Sequence, residues 1–370
     1  MSPAAEITMM LCGDVMLGRG IDQILPNPSP PALYEDYVRS ALDYVSLAEQ
    51  ANGPIARPAS YSYVWDGALE ELARRKPDLR IINLETAVTH SDRPEPKGIN
   101  YRMNPLNLPC LTAADIDCCV LANNHMLDWG REGLLETIGS LDRAGIKTAG
   151  VGRDMAEAQA PAVLEIAGKG RVLVYAAACG SSGVPLSWSA GPGHPGVNLI
   201  GEPSAERART LAGRIARDRR PGDIAILSVH WGGNWGYDVS DGEREFAREL
   251  VNSGQVDIVH GHSSHHFKAV EIFRGKPILY GCGDFLNDYE GISGYEAYRS
   301  DLVLMYLVTF SLADGRLKAM EMVPFRLRNF RLNRVDGADA EWIRHRLERA
   351  CRSFPVTVSL HPDNTLSIGP

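Results

Sequence analysis

Six short apolar runs in this chain each stop at a residue able to bind a metal or move a proton. Residues 7–12 end at Gly13-Asp14, residues 79–84 deliver Asn83 and Glu85, and residues 117–122 lead into Asn123-Asn124-His125. Residues 224–229 end at His230, residues 256–259 open the stretch His260-Gly-His262-Ser-Ser-His265-His266, and residues 276–280 lead to Gly283-Asp284. Runs this short and this continuously apolar fit strands buried on both faces. Buried strands have no use for ionisable groups, because an unpaired charge is expensive to take out of water. Gathering the six ends at one sheet edge, around one site, accounts for all of them together. Open α/β sheets keep their ligand sites at the C-terminal ends of strands.

Between these runs the apolar spacing changes to that of helices over 33–50, 64–75, 132–144, 204–219, 242–252 and 338–352. Residues 163–170 and 172–178 read as a hairpin, 301–311 and 317–325 as two longer antiparallel strands, and 356–368 as one weak strand. Residues 89–105 are loop-like. Residues 181–198, rich in Gly, Ser and Pro, form a long loop of the kind that often serves as a lid. An order that alternates β and α early and turns β-rich late predicts an α/β sandwich of two sheets.

Of 370 residues, 44% are apolar and 23% charged, the balance of a globular protein. A formal charge of −8 argues against a nucleic-acid partner, whose surface would be matched by a basic one. Seven cysteines without regular spacing do not make a disulfide framework, and most lie in or beside apolar runs, where a thiol acts as a small core residue. The opening residues Met-Ser-Pro-Ala-Ala-Glu offer no secretion leader, and no run approaches the ~20 apolar residues that span a bilayer. The expectation is a cytoplasmic protein that engages no membrane.

The motifs Gly13-Asp-Val-Met-Leu-Gly-Arg19, Asn83-Leu-Glu85, Asn123-Asn-His125 with Asp128 and Gly130, His230-Trp-Gly232, and Gly261-His262 with His265 occur in this order. In that arrangement the chain resembles the CapA-like family, named for poly-γ-glutamate capsule biosynthesis and placed in the metallo-dependent phosphatase superfamily. The resemblance spans roughly residues 7 to 290. It implies a four-layer αββα sandwich, with residues 1–330 as one CapA-like domain and residues 331–370 as a C-terminal helix and tail packed on it. It also implies Asp14 and His265 on one metal, Glu85 as a bridging carboxylate, Asn124, His230 and His262 on a second, and His125 as general acid.

Departures from the superfamily pattern shift that expectation. Met16 stands where the first phosphatase motif has a histidine, although methionine is usual in the CapA branch, and a thioether is a poor partner for a hard divalent ion. One divalent metal is therefore expected, on Glu85, Asn124, His230 and His262, with no organic cofactor and with Asp14, His125 and His265 free for acid–base chemistry. Ser264 replaces the proline common before the last histidine, His266 is an additional base, and Asp284 replaces the usual asparagine. Arg19, Trp129, Trp231, Trp235, His266 and Asp284 are expected to contact substrate.

Three reactions fit this reading. Phosphoester hydrolysis needs two metals ~3.5–4 Å apart, which Met16 weakens. Hydrolysis of an amide polymer follows from the family name. Epimerisation of a peptide follows from soluble members of the family associated with lasso-peptide biosynthesis. Removing an α-proton next to an amide needs a base on one face and an acid on the other, together with a stabilised enolate. A site rich in bases and poor in metal ligands favours inversion of an α-carbon in a ribosomal precursor peptide, with the amide or phosphoester hydrolase as the alternative. A binding module that has lost its chemistry is disfavoured by the retained His125, His230, His262 and His265.

Overall fold

The computed structural model describes residues 6–369; the expectation about a leader at positions 1–5 lies outside the described residues. The first apolar run becomes the strand Glu6–Val15, buried along almost its whole length at the centre of a ten-stranded sheet. Leu79–Leu84, Cys118–Val120 and Lys147–Ala149 follow on one side, all parallel. On the other side lie Leu302–Ser311 and Leu317–Arg328, antiparallel as expected for these two longer runs. The short strand Asp284–Leu286 pairs with the C-terminal end of Glu6–Val15.

A second, six-stranded sheet runs in the order Val270–Phe273, Lys276–Leu279, Ile258–His262, Ile224–His230, Gly170–Ala178, Ala162–Ile166. The inner faces of the two sheets share one hydrophobic core. His260 crosses between them, its Nε2 lying 2.9 Å from the carbonyl of Cys12. Helices cover the outer faces. Gly130–Arg143 buries Leu134, Ile138 and Leu141, while Asp241–Asn252 buries Phe246, Leu250 and Val251 and starts from a capping box between Ser240 and Glu243. The fold is a four-layer αββα sandwich, with both sheets mixed rather than purely parallel.

Register is what builds the site. In a parallel pair, residues at equal depth lie side by side, so matched strand ends become neighbours. His230 pairs with His262 across Ile224–His230 and Ile258–His262. Asp14 pairs with both Asn83 and Asp284. Gly13 permits the second pairing: a Cβ there would sit 1.7 Å from the carbonyl oxygen of Gly283, which instead accepts the Asp14 amide at 3.0 Å.

Three segments differ from expectation. The helix expected from residue 33 begins only at Ala41, capped by Ser40, because Glu35 is drawn inward to Arg19. The tail forms a hairpin, Thr357–Leu360 with Leu366–Gly369, which extends the large sheet by pairing with Leu317–Arg328. Residues 181–198 do not line the cavity at the strand ends, although Trp188 packs beside Lys97 at its rim. Trp188 is buried, and the cavity at the strand ends is walled instead by residues between Asn287 and Asp301.

Candidate active site

The strand ends open on a cavity of about 820 Å³. Glu85, Asn124, His125, Ser263 and His265 line its inner end. Directly beneath, Asp14, His230 and His262 are almost fully buried and bring one ligand atom each to within 4.8 Å of the others. His230 Nδ1 faces His262 Nδ1 at 2.7 Å, and His262 Nδ1 lies 3.8 Å from Asp14 Oδ1. The outer nitrogens are held separately, His262 Nε2 by Ser228 Oγ at 2.7 Å and His230 Nε2 by Asn124 Oδ1 at 3.1 Å. The Asn124 amide oxygen thus faces the far side of His230, away from the nitrogen directed at Asp14 and His262.

Backbone strain helps to frame the carboxylate. Ser263 has a φ of +108°, a region L-residues avoid, and this conformation turns its N–H onto Asp14 Oδ2 at 3.2 Å. Asn83 donates to the other oxygen, Oδ1, at 2.7 Å.

The electrostatics match a cation site. Burial holds His230 and His262 well below the usual imidazole range, so both are neutral and offer lone pairs. Burial, with the charge of Asp284, pushes Asp14 up to about 7, and burial with the charge of Asp14 raises Glu85. Glu85 Oε2 is buried with no hydrogen-bond partner. Two carboxylates crowded against two neutral imidazoles, one with an orphaned oxygen, form a mixed oxygen and nitrogen donor set suited to one divalent ion. The donors that converge are Asp14, His230 and His262 with Glu85 alongside, while Asn124 meets the far nitrogen of His230.

Two histidine–carboxylate pairs flank this centre. His125 Nδ1 bonds Asp128 Oδ2 at 2.6 Å, leaving Nε2 3.7 Å from Glu85 Oε1. Burial lowers His125 to about 4 against the opposing pull of Asp128. Lys97 Nζ contacts the other Asp128 oxygen at 2.8 Å. On the other side, His265 Nδ1 lies 3.0 Å from Asp284 Oδ1; burial disfavours its charge, but Asp284 more than offsets this and raises its pKa.

The expected substrate contacts divide. Trp235 lines the cavity, stacked on Tyr295 with centroids 4.0 Å apart. Trp129 and Trp231 are core residues, with indole N–H groups committed to the carbonyls of Tyr101 and Tyr280. Arg19 borders the cavity, but its guanidinium is occupied by Asp288 at 2.5 Å and Glu35 at 2.8 Å. His266 is buried, accepting from Gly236 N–H while its ring packs among Trp235, Tyr237 and Tyr298. Asp284 is buried, held by His265 and by Asn287, and stands outside the cavity lining. Tyr101, Tyr289 and Lys97 also line the cavity and were not anticipated, since they sit in irregular segments without periodicity. Asp128 had a signal, its three-residue spacing from His125 across a tight turn.

A family model described as bacterial capsule synthesis protein PGA_cap matches residues 8–289. The chain belongs to this family. A "probable polyglutamine synthesis accessory protein" of Mycobacterium tuberculosis is 47% identical to this PGA_cap member over 98% of the chain and 96% of that protein. The PGA biosynthesis protein CapA of Bacillus subtilis is 23% identical, over 80% of this chain and 66% of its own. A solved structure described as a novel phosphatase, from Mycoplasma pneumoniae, aligns with a TM-score of 0.49 at 12% identity, covering 91% of this chain and 97% of that one. Among the described residues of the PGA_cap chain, no helix is long and apolar enough to cross a membrane.

Proposed function

We propose that this protein is a divalent-metal-dependent hydrolase of amide bonds in a glutamyl polymer or peptide. The convergence of Asp14, His230 and His262 beside the unpartnered oxygen of Glu85 carries this reading. A divalent ion held by these residues would supply polarisation of the scissile carbonyl and acidification of water. The descriptions of the relatives in terms of polyglutamine and PGA synthesis supply the substrate class.

The chain's own groups perform the proton work. Asp128 accepts from His125 Nδ1, which fixes the tautomer and leaves the Nε2 lone pair aimed toward Glu85. His125 Nε2 takes a proton from the attacking water as its oxygen bonds to the carbonyl carbon. It returns that proton to the amide nitrogen as the C–N bond breaks, leaving a carboxylic acid and an amine. Asp128 stabilises the transient imidazolium.

The test is direct. The protein reconstituted with Mn²⁺, and separately with Zn²⁺ or Mg²⁺, is incubated with γ-linked and α-linked glutamyl oligomers, and new amino groups are quantified. Amine release that disappears with a chelator is the expected result. No release from either linkage with any of the three ions overturns the proposal.

A second reading rests on His265, which is paired with Asp284 and lines the same cavity as His125. Two proton-transferring histidines in one chamber are what inversion of a peptide α-carbon requires. Incubating a peptide in D₂O separates the readings: inversion adds one deuterium at one α-carbon without cleavage, whereas hydrolysis yields fragments with their α-hydrogens retained.

A further inference from the structure

Behind the two histidines, two tyrosines meet. Tyr101 stacks on the His125 ring, with centroids 3.9 Å apart and planes 17° from parallel. Tyr289 stands edge-on to the His265 ring at 5.4 Å and 87°. Their hydroxyl oxygens lie 2.7 Å apart, and both residues line the cavity with Glu85, His125 and His265.

Each tyrosine is anchored to the carboxylate of the pair it touches. The Tyr101 amide donates to Asp128 Oδ2 at 2.6 Å. The Tyr289 amide donates to Asn287 Oδ1 at 3.1 Å, and Asn287 donates in turn to Asp284 Oδ2 at 2.8 Å. The two rings therefore span the cavity wall from one histidine–carboxylate pair to the other.

Counting protons shows what the pair can do. A phenol brings one hydrogen and two lone pairs. In a two-hydroxyl contact, one hydrogen is consumed between the oxygens, and the second remains on the outer hydroxyl. Among the described residues, no other hydrogen bond engages either oxygen. One O–H is thus left to donate into the cavity, and it is a stronger donor for accepting a hydrogen bond from its neighbour. Burial keeps both phenols in their neutral, donating form. The Arg19 guanidinium, held by Asp288 and Glu35, packs 4.8 Å from the Tyr101 ring centroid and 5.7 Å from that of Tyr289 and fixes both rings in place.

We propose that the Tyr101–Tyr289 hydroxyl pair is an oxyanion donor, giving one hydrogen bond to the carbonyl oxygen of an amide substrate as it acquires negative charge. The assignment rests on the amide-hydrolase reading for its substrate class. The donating hydroxyl keeps its proton throughout. Its contribution is a hydrogen bond that strengthens as charge develops, the form of stabilisation that raises kcat more than it lowers KM.

Tyr101→Phe, Tyr289→Phe and the double variant keep both rings and their packing. Two measurements are made on the manganese-loaded protein. The first is kcat and KM on the γ-glutamyl oligomer. The second is calorimetric affinity for a γ-glutamyl phosphinate, in which a tetrahedral anionic P–O replaces the scissile carbonyl. Losing one oxyanion donor is expected to lower kcat by about 10²–10³-fold, with KM within about twofold and weaker phosphinate binding. Because the pair supplies a single free proton, the double variant should be no worse than the poorer single variant. Full kcat and unchanged phosphinate affinity in both single variants would overturn the proposal, as would losses that multiply in the double variant, or a parent that does not bind the phosphinate. A parent that binds phosphinate through these hydroxyls yet cleaves no oligomer would retain the oxyanion site and remove the hydrolase reading. Turnover indifferent to both hydroxyls would do the reverse.

Discussion

His230 Nδ1 and His262 Nδ1 face each other at 2.7 Å from adjacent parallel strands whose register pairs the same two residues. Asn124 Oδ1 can only accept, so the neutral His230 carries its proton on Nε2 and keeps a lone pair on Nδ1, on the side of His262 and Asp14. Ser228 fixes the far nitrogen of His262. Partners of this kind, one bond removed from a metal ligand, are typically worth 10–100-fold in metal affinity. Ser228→Ala is expected to weaken divalent-ion binding by about that factor, and His230→Ala or His262→Ala by more, measured by competition with a chromophoric chelator. Equal affinity in parent and His262→Ala would remove the pair from the metal site.

Asp128 does for His125 what Ser228 does for His262, but the consequence is kinetic. Asp128→Asn keeps the shape and lets the imidazole take the other tautomer. A drop in kcat of about 10²–10⁴-fold, the usual worth of positioned acid–base groups, is expected with little change in KM. Metal content measured on the same sample should match the parent, which separates lost proton transfer from lost metal.

Arg19 is the buried counter-ion of two carboxylates, Glu35 and Asp288, with side-chain exposures of 1–2% or less throughout. Removing one partner of such a group leaves uncompensated charge in the interior. Arg19→Met is expected to lower unfolding free energy by about 3–5 kcal/mol, read from urea denaturation. A loss below about 1 kcal/mol would mean that solvent reaches the two acids.

The tryptophans should separate by assay. Trp231, buried against Phe246 and Tyr280, is a packing residue, so Trp231→Ala should cost about 3–5 kcal/mol of stability. Trp235 lines the cavity and stacks on Tyr295, so Trp235→Ala should raise KM while changing stability by no more than the ~0.5–1.5 kcal/mol of an aromatic pair. A Trp235→Ala protein with parental KM would place substrate elsewhere in the cavity.

How far the molecule was legible in its sequence follows from which forces act locally. The six apolar runs became strands because burial on both faces writes itself into every residue of the run. Their ends met because parallel register follows from alternating strands and helices. The roles of single residues at those ends were less visible. Trp129 and Trp231 looked like ligand contacts because composition cannot distinguish an indole committed to a backbone carbonyl from one facing a cavity. Arg19 looked like an anion binder because its partners, Glu35 and Asp288, lie 16 and 269 residues away. That Asp14 lies on the side of the His230–His262 pair while Asn124 meets the far nitrogen of His230 depends on the orientation of one ring, which no run of residues displays. Tyr101 and Tyr289 come from irregular backbone, which carries no period to read.

The strand register has a consequence for how this centre behaves over time. His230, His262 and Asp14 sit on the interior strands of two sheets, inside the shared core, whereas Ile292 and Tyr295 stand exposed on the wall of the cavity. Opening the strands that carry the centre requires disrupting the core, while the wall can rearrange without it. Amide exchange at His230 and His262 should therefore be among the slowest in the chain, with residues 290–300 among the fastest. Substitutions that retune what enters the cavity can accumulate in that wall while the spacing of the buried donors stays the same.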